Sequence, residues 1–513
     1  MKEAVTPSAS PVQRWLVLVA VMLAFLPIVL DMTILHVAVP SLTLALGASG
    51  TEVLWIIDIY PLLMAGLLIP MGTLADRVGH RKMLLTGLTI FMIGSGLAAF
   101  APSPAVLIGT RAFMAFGAAM VMPCTLAILR QAFADDRERA LALGIWGSVG
   151  SAGAALGPLV GGVLLDSFWW GSVFLVNVPL MILILPMVFL LTPFTSVTGD
   201  GNWKFGQALI LTLGIMASVL ALKSGLKPGS PLWLAAIVGV MGVALLAWFV
   251  RLQLRSPSPM LDMSLFARPA IRAGVVMALV VMGSLAGVEL MLAQQLQFVL
   301  QRSALEAGMF LLPLMIGSAV GGPLAGGILQ FAGLRLVASM SLFVAAASLA
   351  GIGYSDLSEA GWEVDLLLVA LGLSLGIGLT ASSVAIMGST PVAKAGAAGA
   401  LEATSYDLGT GLGITGFGLL LATSYQRAIV LPGDLPAATV TLASQSIGET
   451  LMVAGTMSAP VAQAVAQAGR LALSASYGMV MLSAAALVGL LGIGVLVALR
   501  HDLESTADSP PLQ

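Results

Sequence analysis

The chain has 513 residues, of which 59% are hydrophobic and 9% are charged, and its formal net charge is −2. Soluble domains contain about 25% charged residues, so the composition excludes an ordinary soluble protein and predicts a helical membrane protein with many spans. No basic cluster is present, which argues against a nucleic-acid partner. The single cysteine, Cys124, excludes an intrachain disulfide and is interpreted as a packing residue.

Fourteen apolar segments follow one another along the chain, each long enough to cross a bilayer. Their predicted bounds are 15–36, 52–71, 83–101, 104–126, 140–163, 170–192, 205–222, 233–250, 273–297, 305–329, 336–353, 364–387, 397–424 and 474–499. The chain has 22 Lys and Arg residues, and 16 of them fall on the same side of the membrane as the termini. Five others, including Lys223, fall on the opposite side, and Arg111 lies within a span. Because cytoplasmic loops carry the excess of these residues, both termini are predicted to be cytoplasmic.

Span 1 carries a carboxylate, Asp31, in the string Leu-Asp-Met-Thr within its outer half. A charged residue at the centre of a membrane helix raises the free energy of membrane insertion by about 2.5–3.5 kcal/mol on the lower of the available scales. Such a residue therefore indicates a structural or functional role. Asp31 is either a structural carboxylate that is hydrogen-bonded inside the bundle or a group that binds protons or cations.

Span 2 carries a second acid, Asp58, together with Trp55 and Tyr60. At 1.5 Å per residue, Asp58 lies about 9 Å into the predicted span, well inside the hydrocarbon. Trp55 is either an interfacial anchor or part of a cavity wall. We interpret Asp58 as a candidate site for binding a cation.

The connection between spans 2 and 3 is short and rich in charge and glycine. Glycine permits a tight turn, and the cations hold the loop on the cytoplasmic side. The loop is either an ordinary basic connection or a gating element. Its candidate gating residues are Gly72, Asp76, Arg77, Gly79, Arg81 and Lys82.

Span 4 contains the only cation predicted inside a span, Arg111. A guanidinium beside a carboxylate changes how readily that carboxylate takes up a proton. Arg111 therefore either takes part in proton transfer or forms a structural salt bridge to one of the intramembrane acids.

Span 5 is rich in regularly spaced glycine. Glycines on one face of a helix let another helix approach closely, and a proline permits a bend. These residues are candidates for conformational change: Gly144, Gly153, Gly157, Pro158, Gly161 and Gly162.

Three further acids lie in the second part of the chain. Glu289 falls in span 9, while Glu402 and Asp407 fall in span 13. Five helical steps place the last two about 140° apart, so they do not share a narrow face. Asp407 is the better cavity candidate, and Glu402 either caps the cytoplasmic end or forms a second proton station.

A faint internal repeat divides the chain. Gly326, Gly333 and Arg335, at and just after the end of span 10, stand where Gly72, Gly79 and Arg81 stand after span 2. Related halves are typical of secondary transporters. The predicted organisation is a six-helix half at 1–192, an inserted helix pair with a linker at 193–272, and a second six-helix half at 273–513 with a long outer loop at 425–473.

These motifs resemble those of the major facilitator superfamily, in particular the fourteen-helix drug:proton antiporters that export methyl viologen and quaternary ammonium compounds. The resemblance rests on the loop Gly72–Lys82, on Leu-Asp-Met-Thr in span 1, on Leu107–Arg111 in span 4 and on the glycine string of span 5. It implies an all-α fold, alternating access, gating by the loop and by span 5, and intramembrane acids that exchange a cationic drug for protons.

The expected protein is a multi-pass transporter of a bacterial cytoplasmic membrane, monomeric, with small cationic drugs, protons and the lipid bilayer as partners. The chain has no Walker loop, no metal-ligand cluster and no nucleophile–base pair, so neither an enzyme nor a primary pump is predicted. No metal or cofactor is expected, and the proton gradient supplies the energy. Two alternatives stay open: an exporter of the same fold for a siderophore, amino acid or neutral drug, and a transport-inactive membrane sensor.

Overall fold

The computed structural model describes residues 11–133, 135–192, 204–226, 231–257, 259–359, 361–390, 395–433 and 435–499, and every regular element in these ranges is a helix. In the division predicted from the sequence, whose names are kept below, the first half contains α1 (Pro11–Leu46), α2 (Gly50–Val78), α3 (His80–Ala99), α4 (Pro104–Ala132), α5 (Asp136–Ser167), α6 (Ser172–Leu175) and α7 (Asn177–Leu191). The inserted pair is α8 (Phe205–Leu226) and α9 (Leu232–Arg255). The second half contains α10 (Pro269–Gln294), α11 (Ala304–Tyr354), α12 (Trp362–Gly388), α13 (Ala395–Ala428), α14 (Ala437–Ala443), α15 (Ile447–Ala454) and α16 (Ala459–Ala498).

The predicted number of spans agrees with these helices. In the described ranges, twelve helical stretches are long and apolar enough to cross a membrane. One of them is α11, in which Gly333 has φ 72° and ψ 157° and divides the helix into two spans. Helix α5, with 32 residues, is a further element of spanning length. The helices of the described ranges are therefore consistent with fourteen spans. The chain termini and the linker residues 193–203 are not among the described residues.

Two helices extend well beyond their predicted bounds. Helix α1 continues to Leu46 instead of ending at 36, because His36 has a partner inside the bundle and Pro40 is accommodated within the helix. Helix α16 begins at Ala459 instead of 474 and has 40 residues, about 60 Å at 1.5 Å per residue. Below, the end of the bundle that holds α14 and α15 is called the outer end, as the charge pattern assigns it.

The internal repeat is visible in the backbone. Gly79 (φ 98°) and Gly333 (φ 72°) both adopt the left-handed region, and each turns the chain sharply between two spans. Two residues later, Arg81 donates to the Phe189 carbonyl near the end of α7, and Arg335 donates to the Leu496 carbonyl near the end of α16 at 2.9 Å. Each half thus ties its third span to its last one by an equivalent arginine.

Close helix contacts depend on glycine. Gly153 and Gly157 of α5 face α1, whereas Gly162 faces Leu305 at the start of α11, so α5 packs against both halves. A Cβ at Gly413 of α13 would overlap the backbone of Gly283 in α10. The predicted span-5 glycines therefore lie at helix contacts, except that nothing is described of the surroundings of Gly144.

We predict that Gly413→Ala destabilises the protein, because overpacking a close contact costs about 1–3 kcal/mol. Gly416 lies almost one turn further along α13 and would have open space around a Cβ, so Gly416→Ala is the matched control. Thermal stability in detergent, followed by the surviving monodisperse fraction, should fall for the first variant and stay unchanged for the control. Equal stability of the two variants would contradict the packing argument.

Candidate functional site

Asp31 lies near the middle of α1 and is bound by Arg111 of α4. Both side chains are buried, and the guanidinium also donates to the Ile56 carbonyl at 3.1 Å. Its carbon lies 4.7 Å from the centre of the Tyr60 ring and 5.8 Å from that of Phe174. Arg111 is therefore held by a carboxylate, a carbonyl and two aromatic faces, and the salt bridge that the sequence left as one alternative is present.

Asn177 at the start of α7 is the second partner of Asp31, and sequence analysis did not identify it as one. Its amide donates to the Asp31 carboxylate at 3.4 Å and to the Ser95 hydroxyl at 3.0 Å. A buried amide in an apolar segment was the signal that could have identified it. The cluster of Asp31, Arg111 and Asn177 joins α1, α4 and α7 and lies within the first half.

Asp58 of α2 is bound by Lys223, and this corrects the sequence analysis. Lys223 was assigned to an outer connection, but it lies in α8, which continues to Leu226, and its side chain is only 2% exposed. Its Nζ lies 2.9 Å and 2.7 Å from the two carboxylate oxygens of Asp58. The Thr415 hydroxyl of α13 donates to the same carboxylate at 2.6 Å.

Trp55 completes this group. The ammonium of Lys223 lies 3.8 Å from the centre of the Trp55 ring, which is a cation–π contact. Trp55 therefore faces a charge inside the protein, which distinguishes it from a simple interfacial anchor. The group connects three parts of the molecule: α2 of the first half, α13 of the second half and α8 of the inserted pair.

A third pair crosses directly between the halves. The Nδ1 atom of His36 in α1 lies 2.7 Å from a carboxylate oxygen of Glu289 in α10, and both side chains are 3% exposed. Nearby, Gln297 donates to the Val37 carbonyl at 2.9 Å. Sequence analysis selected Glu289 but missed His36, although a histidine inside an apolar run was a usable signal.

The two acids of α13 have different surroundings. Asp407 is buried, and its Oδ2 atom has no hydrogen-bond partner among the described residues. Glu402 is half-buried and accepts a hydrogen bond from the Tyr406 hydroxyl at 2.7 Å. The preference for Asp407 over Glu402 as the cavity acid stays a prediction.

In the loop between α2 and α3, Gly79 is the single residue that separates the two helices. Asp76 pairs with His80 at 3.0 Å, and the Asp76 carboxylate is 58% exposed. Arg81 is buried and binds the Phe189 carbonyl, as described above, whereas Lys82 is exposed. Asp76 and Arg81 thus hold the loop to its own half. His80, which is not among the candidate gating residues, is the partner of the acid.

A cavity of about 310 Å³ lies between the halves at the outer end. Its wall is formed by residues of α1, α2, α8, α10, α13, α16 and the α14–α15 segment, and includes Lys223, Phe298 and Tyr425. The Tyr425 hydroxyl is 2.6 Å from that of Thr450 in α15. Part of the outer loop 425–473 therefore folds onto the bundle and covers this cavity.

Comparison with known proteins gives consistent matches. A family model described as Major Facilitator Superfamily matches residues 21–414. The chain is 43% identical over 487 residues to the methyl viologen resistance protein SmvA of Salmonella typhimurium, which covers 95% of this chain and 98% of that protein. It is 39% identical over 319 residues to the multidrug efflux pump LfrA of Mycolicibacterium smegmatis, which covers 62% and 63% of the two chains.

Among solved structures, the chain resembles a bacterial homologue of the human lysosomal transporter Spinster in an inward-facing and unoccupied conformation. The TM-score is 0.65 at 18% identity, and the match covers 96% of this chain and 99% of the other. This match concerns the fold. Together with the family model, it confirms the all-α transporter fold that the motifs predicted.

We predict that the His36–Glu289 contact holds the outer end closed. Replacing Glu289 by Met leaves the buried His36 side chain without this hydrogen-bond partner, which costs the closed state about 1–3 kcal/mol and corresponds to about a tenfold shift toward opening. In a Cys124→Ala background, Ala422→Cys places a single thiol in the outer cavity. A membrane-impermeant maleimide should label this thiol about tenfold faster in the Glu289→Met variant.

Glu306→Met is the matched control, because Glu306 also lies at the outer end but binds Ser303 of its own half. Its labelling rate should equal that of the parent. An unchanged rate in Glu289→Met would show that the contact does not restrain opening.

Proposed function

This chain belongs to the Major Facilitator Superfamily, and we propose that it exports lipophilic organic cations in exchange for protons. The proposed substrates are monocations, such as quaternary ammonium compounds and dyes, and dications, such as methyl viologen and bisbiguanides. The cation enters from the cytoplasm or the inner leaflet and binds intramembrane carboxylates. Protons from outside then neutralise these carboxylates and release it.

The observation that carries this proposal is the Asp407 carboxylate. The other three fully buried acids of the spans each have a cationic or imidazole partner, whereas Oδ2 of Asp407 has none in the part of the chain that the structure describes. An uncompensated buried charge is costly, and either a bound cation or a proton removes that cost. Cation and proton therefore compete for one carboxylate, which is the chemical requirement of antiport.

The similar proteins support the same proposal. One is named for methyl viologen resistance and another for multidrug efflux. The first name states resistance to methyl viologen, and the second states efflux of several drugs. This supports a transporter rather than an enzyme.

In this proposal the Asp31–Arg111–Asn177 cluster is the proton station of the first half. Arg111 is held from several sides, so protonation of Asp31 changes the charge of the cluster with little change in the arginine position. Helix movement takes place at the glycine contacts of α5 and at the loop that contains Asp76.

The coupling is tested with energised inverted vesicles that contain the purified protein. Methyl viologen and ethidium should accumulate when a pH gradient is present and should stop accumulating when the gradient is collapsed. Accumulation that does not depend on the gradient would contradict proton exchange. Failure with both cations, together with transport of a neutral drug, amino acid or siderophore, would favour an exporter of another substrate class.

We predict that Asp31→Asn abolishes gradient-driven export of both cations, because it removes the proton station while keeping the shape of the side chain. Asp356→Asn is the matched control, since Asp356 is an exposed acid outside the spans. Membrane insertion of both variants is checked by the amount of monodisperse protein. Normal export by Asp31→Asn would refute this assignment.

We also predict that Asp407→Asn weakens methyl viologen export at least tenfold more than ethidium export. A dication needs two negative partners, and an unpaired charge in a low-dielectric cavity costs several kcal/mol. Dose–response curves in cells that express the variant measure the difference. Equal losses for both cations would show that Asp407 serves only proton coupling and does not match the second charge of a dication.

A further inference from the structure

We propose that Asp58, Trp55 and Thr415 form a binding site for an organic ammonium or pyridinium group and that Lys223 is its tethered occupant. A transported cation takes the place of the lysine ammonium when it binds. This inference rests on the proposed function, because it concerns how an exported cation reaches a second carboxylate.

The geometry around the Lys223 ammonium is that of a bound cation. The two Asp58 carboxylate oxygens lie 2.9 Å and 2.7 Å from Nζ, and the centre of the Trp55 ring lies 3.8 Å from it. The Thr415 hydroxyl donates to Oδ2 of the same carboxylate at 2.6 Å. Proteins recognise quaternary ammonium groups through aromatic faces, and the Asp58 carboxylate adds the opposite charge.

The position of Lys223 relative to the outer cavity gives the second argument. Lys223 contributes to the wall of the 310 Å³ cavity, whereas Asp58 and Trp55 do not. The lysine therefore lies between the cavity and the carboxylate. A cavity of this size is at the lower limit of small-molecule sites, which run from about 300 to 1,000 Å³, and a small cation in it faces Asp58 as soon as Lys223 withdraws.

The choice of lysine fits an occupant that moves. Arg111 is held by a carboxylate, a carbonyl and two rings, and its planar group is suited to a permanent link. Lys223 is held by one carboxylate and one ring, and its charge is carried on a flexible four-carbon stem. The ammonium can leave Asp58 without movement of α8.

Lys223 links the inserted helix pair to the contact between the two halves. Asp58 and Thr415 belong to opposite halves, and the lysine comes from the inserted pair, which belongs to neither. Helix α8 thus supplies the counter-charge that neutralises this contact between the halves in the unloaded protein. In this arrangement, the inserted pair has a direct effect on cation affinity.

The test measures equilibrium binding of radiolabelled methyl viologen to the purified full-length protein. An internal competitor that occupies the site nine-tenths of the time lowers the apparent affinity about tenfold. Lys223→Met keeps a similar volume without the charge, so it should bind methyl viologen about tenfold more tightly than the wild type. In an Asp58→Asn background, the same Lys223→Met change should have no effect on affinity.

Lys223→Arg is the second variant, and it allows the proposal to be tested even if the methionine variant does not fold. A guanidinium pairs with the Asp58 carboxylate through two donors and leaves it less readily, so methyl viologen should bind more weakly while thermal stability is kept. If Lys223→Met lowers thermal stability without tightening binding, or if Lys223→Arg binds as tightly as the wild type, Lys223 is only a structural link and the proposal is overturned.

The vesicle assay of the wild type separates this inference from the proposed function. Absence of gradient-driven cation export by the wild type would refute the proposed function itself. Normal export by the wild type combined with unchanged affinity in the lysine variants would refute only the role of Lys223.

Discussion

A charge inside the hydrocarbon must meet an opposite charge or a hydrogen-bonding group, because the lipid supplies neither. The most buried acids of this protein follow that constraint in three ways. Asp31 is paired within the first half, Glu289 is paired across the two halves, and Asp58 is paired with the inserted helices. The arrangement of the spans around the centre of the bundle is thus tied to the positions of a few charges.

The three pairs differ in how easily they can be broken. Removal of one partner from a buried pair leaves an uncompensated charge, which is strongly destabilising. A pair within one half can persist while the halves move relative to each other. A pair between the halves must break or stretch when they separate, so Glu289 and His36 are placed where a conformational change requires a change in charge or in hydrogen bonding.

The sequence was informative about which residues matter and poorly informative about what they contact. Asp31, Asp58 and Glu289 stand out because each is a charge in an apolar run. Arg111, the partner of Asp31, stood out for the same reason. The partners of Asp58 and Glu289 did not stand out, and His36 and Glu289, for example, are 253 positions apart in the chain. Lys223 was misassigned because the predicted span ended one residue before it, and only the packing of α8 against α2 shows that the lysine points inward. The glycine strings predicted close helix contacts, but not which helix would be the partner.

The equivalent arginines Arg81 and Arg335 have a consequence for the kinds of motion that this molecule can make. Each arginine joins two spans at the same end of its half. It lies next to a glycine turn that makes the connection between two helices very short. A half that is tied in this way loses internal degrees of freedom and behaves as a rigid body. The displacement that carries a solute across the membrane is then concentrated in the seam between the halves, so the barrier to transport reflects how many seam contacts must be remade in each cycle.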